Sequence, residues 1–374
     1  MITKEHIIEK AYALDFGDIG FTTAEPFNEQ KKILEERAKK YEWTRENGIL
    51  LLEGTDPKST LPEARSIIVL IEPYFKKAFP RSMEGHFGRC YLDDDRVTKD
   101  GLDLRIKAFR KFLSDSGINS KLSFNLPHRA SAARAGLGSF GKNCFFYAHR
   151  VARGGSWVLP IAIVIDTEFS PDAPTTGINC PEWCRNACIS ACPTRALDGN
   201  GKITPKKCIS YLTYYGDEIT PIEIREAMGM YVYGCDRCQN VCPRNQPWLA
   251  QDLPLNENVV LKAKDFSLPL LLHMDKPYFK TRIWPHMFYM GARTLWKWKM
   301  NVARVMGNSK DRIYLPDLEK AFNENTDDRV LGMIAWAMGQ IHDTSALPFL
   351  HSQAKKHTGP VLEEINLAIQ ALEK

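Results

Sequence analysis

No apolar run in this chain is long enough to cross a bilayer. The longest nearly unbroken stretch, residues 157–165, falls far short of the ~20 residues that a membrane-spanning helix needs, so no membrane association is expected. The first ten residues lack the apolar core of a secretion signal, because Lys4, Glu5, His6, Glu9 and Lys10 interrupt it, and a cytoplasmic location is expected. Compositional bias is absent too: 44% hydrophobic and 25% charged residues are ordinary for a folded protein and argue against a disordered or fibrous chain. A strong charge of one sign is also missing, since 50 Lys and Arg face 45 Asp and Glu. Structural disulfides are rare in a reducing compartment, which leaves the ten cysteines to be explained in another way.

The 374 residues allow two or three folded units. Up to about residue 165, helical and strand patterns alternate. Residues 31–41 are charged and helix-prone, while 66–71 form a short β-branched run, as in a buried strand. Leu102, Ile106, Phe109 and Leu113 fall at helical spacing, with Gly117 as a stop, and 157–165 reads as a second buried strand. Residues 166–176 are rich in Asp, Pro and Thr and mark a boundary. The expected architecture is an α/β N-terminal domain (1–165), a ferredoxin-like double-cluster module (166–250) and an all-α HEAT-like C-terminal domain (251–374).

The last part contains an internal repeat with a period of 32. Ala303, Met306, Gly307, Asp311, Leu315, Pro316 and Leu318 recur as Ala335, Met338, Gly339, Asp343, Leu347, Pro348 and Leu350. Helix, turn, then Leu-Pro-x-Leu opening a second helix is a HEAT-like unit, because proline costs no backbone bond in the first helical turn. Residues 363–372 are placed to start a further unit.

Eight of the cysteines lie between 180 and 242, and such crowding points to metal or redox chemistry. Cys180, Cys184, Cys188 and Cys192-Pro193 are followed by Cys208, then by Cys235, Cys238 and Cys242-Pro243. Closely spaced cysteines ending in Cys-Pro, used twice, are how a chain wraps two cubane clusters, with the last cysteine of each run ligating the other cluster. Cys180, Cys184, Cys188 and Cys242 would hold one 4Fe-4S cluster, and Cys192, Cys208, Cys235 and Cys238 the other. Zinc is the alternative, but only Cys235 and Cys238 have the spacing of a paired zinc site. Cys90 and Cys144 lie outside the module and read as small hydrophobes.

Gly136-Leu-Gly138-Ser-Phe-Gly141-Lys142-Asn143 imitates both a dinucleotide fingerprint and a phosphate-binding loop. Either would need a strand immediately before the glycines. The preceding residues 129–135 are instead an alanine-rich helix former, so the glycines suggest a helix end and a loop whose backbone approaches something closely.

In these residues the chain resembles the epoxyqueuosine reductase family. The resemblance rests on Arg134-Ala-Gly-Leu-Gly138, Gly141-Lys-Asn143, Gly155-Ser-Trp157, the double-cluster module with Tyr233-Gly-Cys-Asp236 and Gln239, Leu61-Pro-Glu-Ala-Arg65-Ser, and the HEAT-like end. It implies a cobalamin-dependent iron-sulfur reductase of a modified base in the tRNA anticodon, in which two 4Fe-4S clusters feed cobalt and an epoxide leaves as water. It also implies that Arg134, Gly136, Gly138, Gly141, Lys142, Asn143 and Ser156 line the cofactor pocket, and that an external electron donor serves the clusters. The family's aspartate proton donor, about a dozen residues before the Arg-Ala-Gly-Leu-Gly run, has no counterpart here: residues 121–128 contain no acid. Ser123 and His128 are the available polar candidates.

Residues 276–312 hold nine Lys or Arg against one acid, Asp311, together with Tyr278, Phe279, Trp284, Phe288, Tyr289, Trp296 and Trp298. Cations for phosphates and rings for unpaired bases suit an RNA reader. The plainer reading makes most rings core residues, with the cations exposed in either case. Two other functions fit the same features: a cobalamin-dependent reductase of a small molecule, and a double-cluster electron carrier.

Overall fold

The computed structural model describes residues 2–175 and 177–374; Met1 and Thr176, the last residue of the expected boundary loop, lie outside the described residues. The chain divides into two compact units, one of residues 1–76, 99–205 and 237–253 and the other of 77–98, 206–236 and 254–374. Three consecutive domains are the expectation from sequence, whereas these units are built from interleaved segments. The cysteine-rich stretch contributes to both.

The first unit is organised by an antiparallel sheet. Its strands are β1 (Asp18–Thr23), β2 (Ser66–Pro73), β3 (Ser120–Leu122) and a later strand, Val158–Ile165, in the order β1, β2, late strand, β3. Every residue of β2 is buried, which explains its unbroken β-branched composition. On one face, Ile68 and Leu70 of β2 and Ile161, Ile163 and Ile165 of the late strand form a core with Ile7 and Ala11 of α1 (Lys4–Ala13) and Phe109 and Leu113 of α2 (Gly101–Asp115). Fully burying each such aliphatic or aromatic side chain is worth about 1.5–3 kcal/mol. Gly117, at φ +79°, provides the left-handed residue that closes α2. The charged stretch expected as one helix is two, Asn28–Glu36 and Ala38–Glu46.

A further helix, α3 (His128–Arg134), packs against β2 and the late strand. It is followed by a hairpin of β4 (Gly138–Phe140) and β5 (Phe146–Ala148), so the late strand is β6. A helix thus precedes the glycines, and the strand that either nucleotide motif requires is absent at that place.

In the second unit, residues 77–98 join the helical region because their apolar side chains are used there. Phe79, Met83, Phe87 and Leu92 are buried. The ring of Phe87 meets Phe266 and Trp298, and Tyr91 lies edge-on to Tyr233 with centroids 4.9 Å apart. The internal repeat is visible as geometry. Helices α4 (Leu295–Ser309), α6 (Asp328–Ile341) and α8 (Gly359–Leu372) pack side by side, with α5 (Leu315–Glu324) and α7 (Leu347–Ala354) between them in sequence. Each turn after α4 and α6 uses a left-handed residue, Lys310 and His342, and an Asp cap, Asp311 and Asp343, whose carboxylates accept from the Ile313 and Ser345 amides.

Candidate metal centre

Six of the eight clustered cysteines, Cys180, Cys184, Cys188, Cys192, Cys238 and Cys242, belong to the first unit, and Cys208 and Cys235 to the second. Cys180, Cys184, Cys188 and Cys242 line one small pocket, together with Lys142, Asn143, Tyr147, Pro181, Ala187, Pro243 and Arg244. Local structure explains how they reach it. Pro181 opens a single 3-10 turn carrying Cys184, and left-handed Arg185 and Asn186 reverse the chain so that Cys188 follows on a short helix. Burial and the neighbouring thiols of Cys242, Cys180 and Cys184 push the Cys188 thiol up to about 11. Among the described residues no three Cys, His, Asp or Glu side chains converge as ligands of a single ion would. Sulfurs standing around a volume suit a cluster, in which each iron takes its own cysteine.

Two donors point at these sulfurs. The Lys142 amide donates to Cys180 Sγ at 3.3 Å, and the Tyr147 hydroxyl donates to Cys242 Sγ at 3.0 Å. Burial, with Cys242 beside it, pushes the Tyr147 phenol well above its ordinary range. Behind the pocket lies a buried polar network: Asn245 accepts the Ser156 amide at 2.8 Å and donates to Ser156 Oγ at 2.9 Å, and Gln239 donates to the same hydroxyl at 2.9 Å. Such second-layer contacts fix how ligand-bearing segments sit.

The residues expected around cobalamin are occupied by the protein itself. Arg134 donates to Thr22 Oγ1, to the Thr23 carbonyl at 2.7 Å and to the Glu25 carbonyl at 3.0 Å, and lies over the Phe27 ring, fastening the end of β1. Gly136 has φ +70° and room for no side chain, since a Cβ would stand 2.4 Å from the Ala173 carbonyl. At Gly138 a Cβ would meet the Tyr147 carbonyl at 2.2 Å, and at Gly141 the Tyr147 ring at 2.6 Å. Lys142 and Asn143 line the cysteine pocket, and Ser156 is 1% exposed. Gly138, Gly141, Asn143 and Ser156 are all buried, so the close approach predicted from the glycines is of the chain to its own hairpin. These intrachain contacts account for the three glycines without reference to a corrinoid.

His128 is likewise committed, and Ser123 in part. His128 Nδ1 accepts the Ala162 amide of β6 at 2.9 Å, and burial lowers its pKa to about 4. The ring also bonds to the Ser123 main chain, while Ser123 Oγ accepts the Asn125 amide at 3.3 Å. The arrangement ties a loop to the sheet.

The basic segment divides in two. Lys276, Lys280, Arg282, Arg293, Lys310 and Arg312 are exposed. Exposure of all nine cations is overturned by the other three. Lys297 is buried and paired with Asp217 at 3.0 Å, and Lys299 donates to Asn325 Oδ1 at 3.2 Å. Arg304 is fully buried, donating to the carbonyls of Gly229 and Tyr231, and burial lowers its pKa to about 9. Of the rings, Phe279 and Trp298 are fully buried, Trp298 stacks on Tyr233 at 5.2 Å, and Trp284 remains 38% exposed.

Comparison with known proteins follows the same lines. Residues 180–245 match a family described as a 4Fe-4S double cluster binding domain. An epoxyqueuosine reductase of Staphylococcus aureus is 33% identical over 97% of this chain and 95% of its own. The chain belongs to the epoxyqueuosine reductase family. A Bacillus subtilis epoxyqueuosine reductase is 30% identical over 98% of this chain and 94% of its own. Among solved structures, an epoxyqueuosine reductase with an epoxyqueuosine-modified tRNA-Tyr stem loop superposes with a TM-score of 0.79 at 28% identity, covering 99% of both chains. One Bacillus subtilis structure, at a TM-score of 0.79 and 28% identity over 99% of this chain and 98% of its own, has its catalytic aspartate loop swung out of the active site. Within the family frame, Gly234 and Asp236 of the Tyr-Gly-Cys-Asp motif have structural work: Gly234 has φ +77° and a Cβ there would lie 2.5 Å from the Tyr91 ring, and Asp236 accepts the Arg89 amide at 2.8 Å. Tyr147 and Arg244 at the cysteine pocket escaped sequence reasoning: Tyr147 is brought there by its long-range contact with Cys242, and Arg244, two residues after that cysteine, is not a ligand-type side chain.

Proposed function

We propose that this chain reduces epoxyqueuosine to queuosine in tRNA, with two 4Fe-4S clusters and cobalamin as cofactors and an external one-electron donor. The observation that carries this reading is end-to-end similarity to epoxyqueuosine reductases in sequence and in fold, including one with the modified stem loop. In the net reaction the epoxide takes up two electrons and two protons, its oxygen leaves as water, and a carbon–carbon double bond remains.

Cys180, Cys184, Cys188 and Cys242 hold one cluster and Cys192, Cys208, Cys235 and Cys238 the other; when bound, the clusters supply electrons one at a time. The pocket and its two sulfur-directed donors support the first set. The second set rests on the cysteine arithmetic and on the double-cluster match across 180–245. No residue of this chain is assigned to the corrinoid. The expected division into cobalamin-binding, cluster and HEAT-like parts is retained as a functional description, the last supported by the paired turns at Lys310 and His342.

Exposed Lys280, Arg282 and Trp284 place two cations and a ring within five residues, and these are the RNA contacts we favour. Reaction in the cytoplasm follows from the substrate. We assign leaving-group protonation to water or to a group other than His128, whose ring is engaged; within 121–128 that leaves Ser123, whose hydroxyl accepts one bond and keeps its proton. The missing acid in that loop favours one other reading, reduction of a small molecule by the same cofactors.

The deciding experiment incubates the reduced, cobalamin-loaded protein with epoxyqueuosine-containing tRNA and analyses the nucleosides by mass. Queuosine is the expected product. Unchanged epoxyqueuosine, with no salt-sensitive tRNA binding, removes the tRNA assignment.

A further inference from the structure

Tyr147 carries one hydroxyl proton, and the structure fixes where it points. Asn143 Nδ2 lies 2.8 Å from Tyr147 Oη, and the amide cannot be turned round without loss because its Oδ1 accepts the Phe145 amide at 3.3 Å. An amide NH₂ can only donate, so the phenol oxygen accepts from Asn143 and its own proton is left for Cys242 Sγ, 3.0 Å away. A cysteine bound to iron is a thiolate and has no proton to offer in return. The ring has no freedom to leave: Tyr147 is 1% exposed, the Arg244 guanidinium stands 4.3 Å from its centroid, and Arg244 is itself held by the Asn179 carbonyl at 2.8 Å. Gly141 completes the seat, since a Cβ there would occupy the place of the ring.

We propose that the Tyr147 hydroxyl, aimed by Asn143, raises the reduction potential of the cluster bound by Cys180, Cys184, Cys188 and Cys242 and so sets it apart from the second cluster. This rests on the cluster reading given above. Reduction adds one electron whose charge spreads onto the sulfurs, and a donor aimed at a sulfur stabilises the reduced form more than the oxidised one. No bond forms or breaks, and the phenol keeps its proton. Tyr147 is therefore a positioning residue acting through Cys242. The glycine loop that imitates a nucleotide motif serves in this scheme to seat a tyrosine against a cluster.

The test is a redox titration of anaerobically reconstituted protein with dithionite and mediators, followed by electron paramagnetic resonance, without tRNA or corrinoid. In Tyr147→Phe, reduction of one cluster becomes about tenfold less favourable, a fall of ~59 mV for a one-electron couple, while the other potential stays. Two unchanged potentials at full iron content overturn the proposal. If Tyr147→Phe holds fewer irons than the parent, Asn143→Ala takes its place; it keeps the phenol but frees its hydroxyl to rotate, and must lower the same potential by less. Cluster loss in both variants also overturns it, by showing that the pair holds the ligands rather than tunes them. A parent protein that binds no cluster removes the cluster reading itself, which separates that failure from this one.

Discussion

Two sets of glycines in this protein have the same sequence meaning and different consequences. Gly138 and Gly141 lie in the loop and hairpin beside the cysteine pocket, while Gly307 and Gly339 lie inside helices of the repeat. In both, the missing side chain permits close approach. A Cβ at Gly307 would lie 2.7 Å from Ala337 Cα, and one at Gly339 would lie 2.8 Å from Ala368 Cα, so these glycines set the spacing between α4, α6 and α8. At Gly141 the approaching group is the Tyr147 ring, so that glycine sets the geometry of a site. A glycine pattern announces close approach without naming the partner; in the repeat, periodicity names it, and in the loop nothing local does.

The sharpest test of that difference is Gly141→Val. Its side chain would drive the Tyr147 ring out of its seat and into the space among the cysteines, so we expect steric exclusion of that cluster, with iron content falling from about eight to about four per chain and turnover lost with it. Gly339→Val is the matched control. Overpacking of a tight helix interface costs about 1–3 kcal/mol, so its melting temperature should drop while iron content and cluster absorption stay at parental values. Equal iron loss in both variants would erase the distinction between a glycine that serves chemistry and one that serves packing.

The same contrast governs what could be read before the structure. The two central strands, the helix at 102–114 and the 32-residue repeat were legible, because each depends on a local or periodic pattern of burial. The convergence of Cys180, Cys184, Cys188 and Cys242 on one pocket was legible because the twice-repeated Cys-Pro ending pairs the last cysteine of one run with the other run. Segment 77–98 was not, since its membership in the second unit depends on Phe87 and Tyr91 meeting rings far along the chain. Nor was the burial of Arg304. Its guanidinium is satisfied by backbone carbonyls more than 70 residues away, and carbonyls have no sequence signature.

That failure redirects the RNA experiment. Charge removal at Lys297 tests an ion pair with Asp217 rather than a phosphate-binding cation, and should cost stability without changing the salt dependence of tRNA binding. In Lys280→Ala/Arg282→Ala the tRNA affinity should weaken several-fold, and the slope of log affinity against log salt should flatten by about 0.7–0.9 for each phosphate that is no longer neutralised. Binding measured from low to moderate salt distinguishes the two variants. An unchanged slope in the double variant would return the exposed half of the basic segment to the status of a solvated surface.

The smallest effect at neutral pH is expected at His128, and it bears on the missing acid. A positioned proton donor contributes ~100-fold or more, whereas a histidine whose Nδ1 accepts the Ala162 amide is already neutral and already used. Asparagine can accept that amide through Oδ1, so His128→Asn should keep turnover within about threefold. Its signature lies in stability against pH. The folded-state pKa is about 4, below the ~6.5 of an unperturbed histidine, so between these values the unfolded chain binds the proton more readily. The native protein therefore keeps this contribution above pH ~6.5 and loses it as pH falls towards ~4. His128→Asn removes that part of the acid sensitivity, which thermal melts from pH 7 to 4 will show as a shallower decline than in the parent. A 100-fold loss of turnover with an unaltered melting profile would instead make His128 the proton donor, and would move the loop from packing to chemistry.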